Sequence, residues 1–225
     1  MNAQGRGSAA RAALVIVISG RGSNMRALIE ASRAPDSNYR VALVLSDQPE
    51  AGGLRIAQQL GIPARAVPAR GFGERERYDE ALRETIAEAK PDLIALAGFM
   101  RILGAPFVAT FAGRLLNIHP SLLPLYKGLH THRRALQAGD AQHGATVHYV
   151  TEELDGGPGV LQARVPILPG DDEAALSARV QQVEHRIFPL AVRWHCAGRL
   201  ACRDGRAFLD GEPLAGPVIW NESTQ

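Results

Sequence analysis

The sequence of 225 residues is poor in cysteine and has no long apolar run, and each absence excludes a class of protein. The two cysteines, Cys196 and Cys202, give neither a disulfide framework nor a zinc-ligand pattern, which is typical of a reducing compartment. The apolar run Ala12 to Ile18 is too short to span a bilayer, and a Gly/Ser turn follows it where a secretory signal would have a cleavage site. We therefore expect a cytoplasmic protein that does not associate with a membrane.

An excess of charge of one sign is also lacking, since 25 Lys/Arg against 23 Asp/Glu leave a net charge of +2. The basic residues are almost all arginine and are spread along the chain, whereas a nucleic-acid interface would cluster them. These features predict a small anionic ligand and no nucleic-acid partner. The apolar content of 46% is enough to bury a substantial core in one domain or two small ones.

In the first half of the chain, short apolar runs alternate with segments that have helical spacing. The predicted strands are Leu14 to Ile18, Val41 to Leu45, Leu93 to Ala97 and Leu115 to Ile118. The predicted helices are Asn24 to Arg33, Gly53 to Leu60 and Glu74 to Ala89. This alternation indicates an α/β fold with a doubly wound, mostly parallel sheet.

After about residue 144 the alternation of strands and helices stops. Ala145 to Val150 and Val160 to Ile167 are strand-like and are joined by a turn-rich stretch, which predicts an antiparallel extension of the sheet. A long helix is expected over 172–197, with Asp171 or Asp172 as its cap and Gly198 at its end.

Two further features of this half concern proline and glycine. Pro189 lies inside the predicted long helix, and we expect it to kink or split that helix. The Asp204-Gly205 dipeptide predicts the turn of a hairpin within 199–214.

A glycine-rich turn at residues 18–24 separates the first strand from the first helix. Such a turn lets backbone N–H groups converge on an anion at the helix N-terminus, so Gly20 and Gly22 suit a phosphate. The third glycine of a dinucleotide fingerprint is missing, and the turn could equally be an ordinary one with Ser23 or Asn24 as the helix cap.

Asn117 and His119 leave the carboxyl end of a buried strand, where open α/β sheets bind their ligands. At the two-residue period of a strand they project on the same side, so one can polarise a carbonyl oxygen while the other handles a proton. Alone, the pair could equally serve to hydrogen-bond loop backbone.

Asp155 precedes three glycines within four positions, which could aim its carboxylate into a cleft or could form a plain acidic turn. His130, His132 and His148 match no zinc spacing, so we expect no metal. Thr131 is a candidate cap for a short helix that ends at Ala138.

Taken together, these segments closely resemble the folate-dependent phosphoribosylglycinamide formyltransferase family, over about residues 14–210. The matching runs are ISGRGSN at 18–24, LAGFMRIL at 96–103, GRLLNIHPSLLPLYKGLHTH at 113–132, HGATVHYVTEELDGGP at 143–158 and QVEHRIFPL at 182–190. The resemblance implies transfer of a formyl group from 10-formyltetrahydrofolate to the amine of 5-phosphoribosylglycinamide in purine biosynthesis, with no metal.

The resemblance also implies a role for individual residues. The catalytic group is Asn117, His119 and Asp155. Gly22, Ser23 and Asn24 would hold the substrate phosphate, and Glu184 would receive the amine end of the substrate. The residues implied for the folate are Arg75, Met100, Arg101, Ile102, Leu103, Asn117, Thr151, Glu152, Glu153, Leu154 and Asp155.

The implied domain organisation is a single domain over 12–214 with a Rossmann-like formyltransferase fold, in a monomer or a homodimer. Its phosphate-binding half covers about 12–112 and its folate-binding half about 113–214, and we expect a disordered tail at 1–11 and a second tail at 215–225. Arg21, Leu125, Lys127 and Gly159 depart from the family pattern. The added charge of Arg21 beside the phosphate loop predicts tighter phosphate capture.

Alternatives remain within and outside the family. A formyltetrahydrofolate hydrolase would share Asn117, His119 and Asp155 but typically has an added N-terminal domain, and a methionyl-tRNA formyltransferase has a further RNA-binding domain after about residue 210. The short segments at the two ends of this sequence favour neither. A non-catalytic phosphate-binding module would need only the turn at Gly22 to Asn24, because fold alone does not establish chemistry.

Overall fold

The carboxyl ends of three neighbouring parallel strands meet at one edge of an eight-stranded sheet, which is the centre of the fold. The computed structural model describes residues 10–221 and residue 224, so most of the predicted tail at 1–11 lies outside the described residues. The strands are β1 (Ala12–Ile18), β2 (Tyr39–Ser46), β3 (Ala64–Ala66), β4 (Leu93–Leu96), β5 (Leu115–His119), β6 (Gln142–Tyr149), β7 (Gly159–Pro166), β8 (Leu200–Arg203), β9 (Arg206–Leu209), β10 (Glu212–Pro213) and β11 (Val218–Ile219). The helices are α1 (Ser23–Ser32), α2 (Gly52–Gln59), α3 (Arg75–Glu88), α4 (Ala105–Thr110), α5 (Thr131–Ala138) and α6 (Glu173–Cys196).

The order of the large sheet is β11-β7-β6-β5-β4-β1-β2-β3. The strands from β3 to β5 are parallel to one another, whereas β6 is antiparallel to β5 and β7 is antiparallel to β6. The chain passes from β1 to β2 on one side and later returns with β4 on the other side of β1. This reversal of direction makes a crevice at the carboxyl ends of β1 and β4, which is the usual ligand position in such sheets.

Two hydrophobic clusters cover the two faces of the sheet. Side chains alternate along each strand, so Leu14 and Ile16 of β1 join the cluster that α1, α2 and α6 cover, while Val15 and Val17 join the one that α3 and α4 cover. All four are fully buried, and burial of one such side chain stabilises a fold by roughly 1.5–3 kcal/mol. The strands are apolar on both faces for this reason.

The predicted α/β architecture and antiparallel extension are confirmed. Every predicted strand and helix of the first half is present, with ends that shift by one to two residues. Two short elements were not predicted: β3, whose three residues lie at the sheet edge and are not buried, and α4, whose six residues include Pro106 in the first turn. Elements this short have too little periodicity to be predicted.

Three predicted details of the helix ends and the long helix differ from the structure. Gly22 precedes α1 in the left-handed region at φ 76°, so neither Ser23 nor Asn24 is its cap. His130 precedes α5, also left-handed, so Thr131 is its first residue and not its cap. The long helix α6 continues past Pro189, which is buried with Phe188, so packing keeps the helix continuous although one backbone hydrogen bond is lost.

The ends of α6 agree with the prediction. Asp172 is the cap, and its carboxylate accepts a hydrogen bond from the N–H of Ala175 at 2.7 Å. Asp171 forms an ion pair with Arg179 instead. Gly198 follows the helix at φ 72°.

The C-terminal region adds a hairpin and one more strand. The turn at Asp204 and Gly205 joins β8 to β9 as predicted, and both residues have positive φ. Beyond residue 214, where the predicted domain ended, β11 pairs with β7 and the N–H of Trp220 donates to the carbonyl of Gln162. In the described part of the chain, no helix is both long and apolar enough to cross a membrane.

Candidate active site

The pairing of β5 with β6 places two polar side chains opposite each other. Asn117 is in register with His148, and the two side chains therefore lie on the same face. The Nδ2 amide of Asn117 donates to Nε2 of His148 at 3.1 Å. Nδ1 of His148 lies 2.9 Å from the carbonyl oxygen of Tyr149, so it carries the proton and leaves Nε2 as an acceptor. This arrangement fixes the amide of Asn117 and leaves its second hydrogen for another acceptor.

His119 lies two residues further along β5 on the same face and is buried. Its Nε2 donates to the carbonyl oxygen of Tyr126 at 2.9 Å, and its Nδ1 is 3.4 Å from Oδ2 of Asp155. Both ring nitrogens face acceptors, so the imidazolium is the form that can donate to both.

Burial and the two acceptors that face its ring together set the pKa of His119. Burial lowers the pKa of His119 below its ordinary value, and the acceptors on Tyr126 and Asp155 offset this only in part. The carboxylate of Asp155 therefore favours the charged imidazole, but the net shift of the His119 pKa is downward. At neutral pH the imidazole is uncharged and able to accept a proton.

Asp155 is held by groups from two segments. Burial raises its pKa, but the neighbouring imidazole of His148, the hydrogen bond from the N–H of Gly128 and the field of His119 together lower it by more, so the net pKa of Asp155 is below the ordinary value. Gly128 N–H lies 2.9 Å from Oδ2, and Nε2 of His148 lies 3.7 Å from Oδ1. The residue itself has φ 48°, a left-handed conformation that the glycine-rich turn accommodates and that Asp tolerates better than most residues.

The turn after β1 contacts α2 and α6. Gly22 is left-handed, and a Cβ on it would lie 3.0 Å from Cα of Gly53, so a larger residue would be strained and crowded there. The hydroxyl of Ser23 accepts from Nε2 of Gln181 at 3.0 Å. The amide of Asn24 donates to Oε2 of Glu184 at 2.8 Å. Side chains about 160 positions apart in the sequence thus form one polar wall, which consists of Ser23, Asn24, Gln181 and Glu184.

Glu184 is the most perturbed carboxyl of this wall. Burial raises its pKa to about 7, and the hydrogen bond from Asn24 opposes that rise only in part. Within the described part of the chain, Oδ1 of Asn24 is buried and has no hydrogen-bond partner. A buried acceptor without a partner beside a carboxyl is typical of a site that a polar ligand completes.

The residues described above line three adjoining cavities. The β1-loop cavity, of about 330 Å³, is lined by the turn 19–24 and by Ala97, Gly98, Met100, Ile118, Pro120, His132, Ser177, Gln181 and Glu184. The central cavity, of about 430 Å³, is lined by the segments 98–102, 117–120 and 128–132 and by Leu154, Asp155 and Glu173. The narrow cavity, of about 90 Å³, is lined by Leu96, Phe99, Arg101, Ile102, Leu103, Val108, Asn117, His148 and the segment 150–155.

The structure brings together nearly all residues that the sequence analysis singled out. Gly22, Ser23, Asn24 and Glu184 line the β1-loop cavity. Asn117, His119 and Asp155 line the central cavity, and the segments 101–103 and 151–155 line the narrow one, with Met100 on the other two. Arg75 lines none of the three and borders a separate cavity between α3 and α4.

Three further residues line the site and were not predicted from the sequence: His148, Gln181 and His132. His148 was considered only as a metal ligand, because its pairing with Asn117 depends on strand register. Gln181 lies one turn before Glu184 on α6, and this spacing was the available signal. Among the described residues, no group of three or more His, Cys, Asp and Glu side chains could hold a metal ion.

Comparison with known proteins gives a consistent result. Residues 12–192 match the Formyl transferase family. The chain is 51% identical to the phosphoribosylglycinamide formyltransferase of Escherichia coli over 201 residues, which are 89% of this chain and 95% of that protein. It is 44% identical to the enzyme of the same name from Haemophilus influenzae, over 93% of this chain and 99% of that protein.

A solved structure shows the same fold. The phosphoribosylglycinamide formyltransferase of Coxiella burnetii, in complex with CHES, superposes with a TM-score of 0.89 at 45% identity. The match covers 94% of this chain and all of that one.

Proposed function

The chain belongs to the formyl transferase family, and from this premise we propose that it is an enzyme that formylates 5-phosphoribosylglycinamide with 10-formyltetrahydrofolate. The products are the formylglycinamide ribotide and tetrahydrofolate, in de novo purine biosynthesis. The observation that carries this proposal is the central cavity, which is lined by Asn117, His119 and Asp155 and shares lining residues with both the β1-loop cavity and the narrow cavity. Two small molecules that enter from opposite sides would bring their reacting ends to these three side chains.

The β1-loop cavity has the groups that a phosphorylated amine requires. The backbone N–H groups of Gly22, Ser23 and Asn24 lie at the N-terminus of α1, where the helix dipole favours a phosphate. Arg21 lines the same cavity and adds positive charge. Glu184 lies on the cavity wall and would accept a hydrogen bond from the glycinamide end.

The narrow cavity suits the folate. Its walls combine the apolar side chains of Phe99, Ile102 and Leu103 with the segment 151–155, whose backbone supplies polar groups. A flat heterocycle that needs both apolar contact and hydrogen bonds fits such a lining. Arg75, which borders the neighbouring cavity, would contact only the distal part of the folate.

The chemistry follows from the positions of the three side chains. The substrate nitrogen attacks the formyl carbon, a C–N bond forms, and the carbonyl oxygen becomes an oxyanion that the free amide hydrogen of Asn117 stabilises. His119, neutral at pH 7, takes the proton of the attacking nitrogen and becomes the imidazolium that Tyr126 and Asp155 stabilise. The proton then passes to the folate nitrogen as its bond to the formyl carbon breaks.

This reaction needs no metal and no covalent enzyme intermediate. Both partners are small molecules, and we propose that neither nucleic acid nor membrane takes part, that the protein acts in the cytoplasm, and that it is a monomer or a homodimer. The catalytic domain would begin near residue 12 and extend over both cavity-forming halves.

A spectrophotometric assay of folate turnover, with and without phosphoribosylglycinamide, tests the proposal. The expected result is tetrahydrofolate formation that depends on the amine. Turnover without the amine would indicate a formyltetrahydrofolate hydrolase. Phosphate-ester binding without turnover would indicate a non-catalytic binding module.

A further inference from the structure

We propose that Ser19 and Asp79 are positioning residues that fix the two ends of the segment 100–103, which forms part of the folate side of the site. The segment follows β4, and its residues line the central and narrow cavities. This inference rests on the proposed function, because it assigns the segment to the folate. Neither residue belongs to the catalytic group, and each acts on the backbone of the segment.

Ser19 holds the first end through two hydrogen bonds in opposite directions. The N–H of Met100 donates to Oγ of Ser19 at 2.9 Å, and the N–H of Ser19 donates to the carbonyl of Gly98 at 3.0 Å. Ser19 is the residue that follows β1, so it also begins the phosphate-binding turn. The same side chain therefore links the folate-side segment to the turn that we assign to the other substrate.

Asp79 of α3 holds the second end. The N–H of Gly104 donates to its Oδ2 at 2.7 Å in a buried hydrogen bond. A Cβ on Gly104 would lie only 3.0 Å from that same oxygen, so the backbone has to approach the carboxylate closely. Next to it, the guanidinium of Arg101 lies 4.8 Å from the ring centre of Tyr78, which adds a second contact with α3.

The burial of Asp79 is costly and needs a reason. The side chain is 7% exposed, burial raises its pKa, and within the described part of the chain Oδ1 has no hydrogen-bond partner. A buried carboxyl that satisfies only half of its acceptors destabilises a fold unless it has a specific task. Capture of the Gly104 N–H is the task that the geometry provides.

Between its ends, residues 100–102 are exposed and only Leu103 is buried in the core. Met100 is 68% exposed and Ile102 is 58% exposed, so these side chains face the cavities and not the core. With residues 100–102 exposed, the conformation of the segment depends on its anchored ends. Anchoring before binding reduces the ordering entropy that a ligand must overcome, and this increases affinity.

The test uses Ser19→Ala and Asp79→Ala, each compared with a control that loses the same chemistry elsewhere. Ser32→Ala removes a buried hydroxyl that donates to the carbonyl of Ile29 in α1. Asp92→Ala removes a carboxylate that accepts from the N–H of Ala13 at 2.7 Å, at the opposite end of the sheet. Asp79→Asn is the conservative variant, because its amide oxygen can still accept from Gly104.

The readouts are the KM of each substrate, kcat, the Kd of 10-formyltetrahydrofolate measured by calorimetry, and the urea midpoint. Loss of one anchoring hydrogen bond is expected to raise the KM and Kd of the folate about five- to tenfold. The KM of phosphoribosylglycinamide should change less than twofold in Asp79→Ala, and Asp79→Asn should recover most of the folate affinity. The two controls should bind the folate as the native protein does.

The outcomes separate this inference from the proposed function. An inactive native protein contradicts the proposed function, whereas an active native protein whose Ser19→Ala and Asp79→Ala variants keep the native folate KM contradicts the anchoring. Equal losses in the variants and in Asp92→Ala would show general destabilisation and would also contradict it. If Asp79→Ala does not fold, Ser19→Ala and Asp79→Asn decide: a native folate KM in Ser19→Ala overturns the proposal.

Discussion

The orientation of the Asn117 amide depends on a histidine that does not face the reaction directly. His148 accepts one amide hydrogen of Asn117, and its own tautomer is fixed by the carbonyl of Tyr149. A side-chain amide that is free to rotate could present its oxygen, which cannot donate a hydrogen bond, to the oxyanion. The imidazole of His148 therefore selects the hydrogen-bond donor for the reaction.

His148→Phe tests this role, because it keeps a ring in the buried position but removes the acceptor. We expect kcat to fall about tenfold or more, since one buried hydrogen-bond partner is lost, while both KM values stay within twofold. Steady-state kinetics with each substrate varied is the measurement. A native kcat in a folded His148→Phe protein would remove His148 from the site.

Asp155→Asn addresses the proton-handling pair. The variant keeps the shape of the side chain and can still accept from the N–H of Gly128, but it removes the charge that stabilises the imidazolium of His119. We expect a native fold and native phosphoribosylglycinamide binding, with kcat reduced about 10²- to 10⁴-fold. Thermal unfolding and single-turnover kinetics would show this, and near-native turnover would exclude Asp155 from the mechanism.

Glu184 has a folded-state pKa of about 7 against an ordinary value of 4.5, so the native state binds more protons than the unfolded state between these pH values. The loss of stability caused by ionising the buried Glu184 is absent below pH 4.5, grows between pH 4.5 and pH 7, and is complete above pH 7. Glu184→Gln should therefore be more stable than the native protein by about 2–3 kcal/mol at pH 8 and equally stable at pH 4.

Urea unfolding at the two pH values is the measurement for Glu184→Gln. The same variant should bind phosphoribosylglycinamide more weakly at pH 8, because it lacks the carboxylate that we propose to receive the amine end. A stability difference that does not vary with pH would show that Glu184 is not buried as described.

At the scale of elements, the turn between β1 and α1 depends on one glycine. Gly22 combines φ 76° with a contact that leaves no room for a side chain, whereas Gly61 has φ 74° and no atom within 4 Å of its Cβ position. The two positions share a backbone conformation and differ in crowding. This pair separates the general cost of a left-handed residue from the particular cost at the site.

We expect Gly61→Ala to lose about 1 kcal/mol of stability and to keep the native KM values. Gly22→Ala should lose more stability and should raise the KM of phosphoribosylglycinamide at least tenfold, because α1 and the turn must shift away from Gly53. Urea unfolding and kinetics on both variants measure the two effects. Equal behaviour of the two variants would contradict the assigned role of the turn.

The elements also show what a sequence can and cannot reveal. The apolar runs of β1, β4 and β5 were readable because a strand buried on both faces has to be apolar throughout. Pro189 was misleading as a point of division, since tertiary packing outweighed local preference at that position. The edge strand β3 carried too few residues to show any pattern.

Some residues of the site could be predicted from the sequence and others could not. Asn117 and His119 share one strand end, so their spacing alone placed them together, but Asp155 joined them only through the resemblance. His148 reaches Asn117 through the register of β5 with β6, and Glu184 reaches Asn24 through the packing of α6 on α1. Local sequence carries no signal for either of these tertiary relations.

At the scale of the whole molecule, the edge of the large sheet is closed by its last strand. Gly159 lies at the start of β7, and a Cβ there would be 3.3 Å from Pro217, so the missing side chain leaves room for the segment that leads into β11. This accounts for one departure from the family pattern.

Gly159→Val should displace Pro217 and lower the unfolding temperature by several degrees, because overpacking of this kind typically loses about 1–3 kcal/mol. Gly216→Ala, at a neighbouring position with no atom near its Cβ, is the control and should unfold at the native temperature. Differential scanning calorimetry compares them. Unchanged unfolding of Gly159→Val would mean that the contact with Pro217 does not stabilise the sheet edge.

The contacts of α6 with the β1 turn also set an order of events during synthesis. Ser23 and Asn24 leave the ribosome before Gln181 and Glu184, which complete their wall about 160 residues later. At elongation rates of roughly 5–20 residues per second, this separation corresponds to about ten to thirty seconds. Under the proposed function, a nascent chain cannot use its amine-bearing substrate as a folding ligand until α6 has emerged, so metabolite supply can protect finished enzyme but not enzyme still being made.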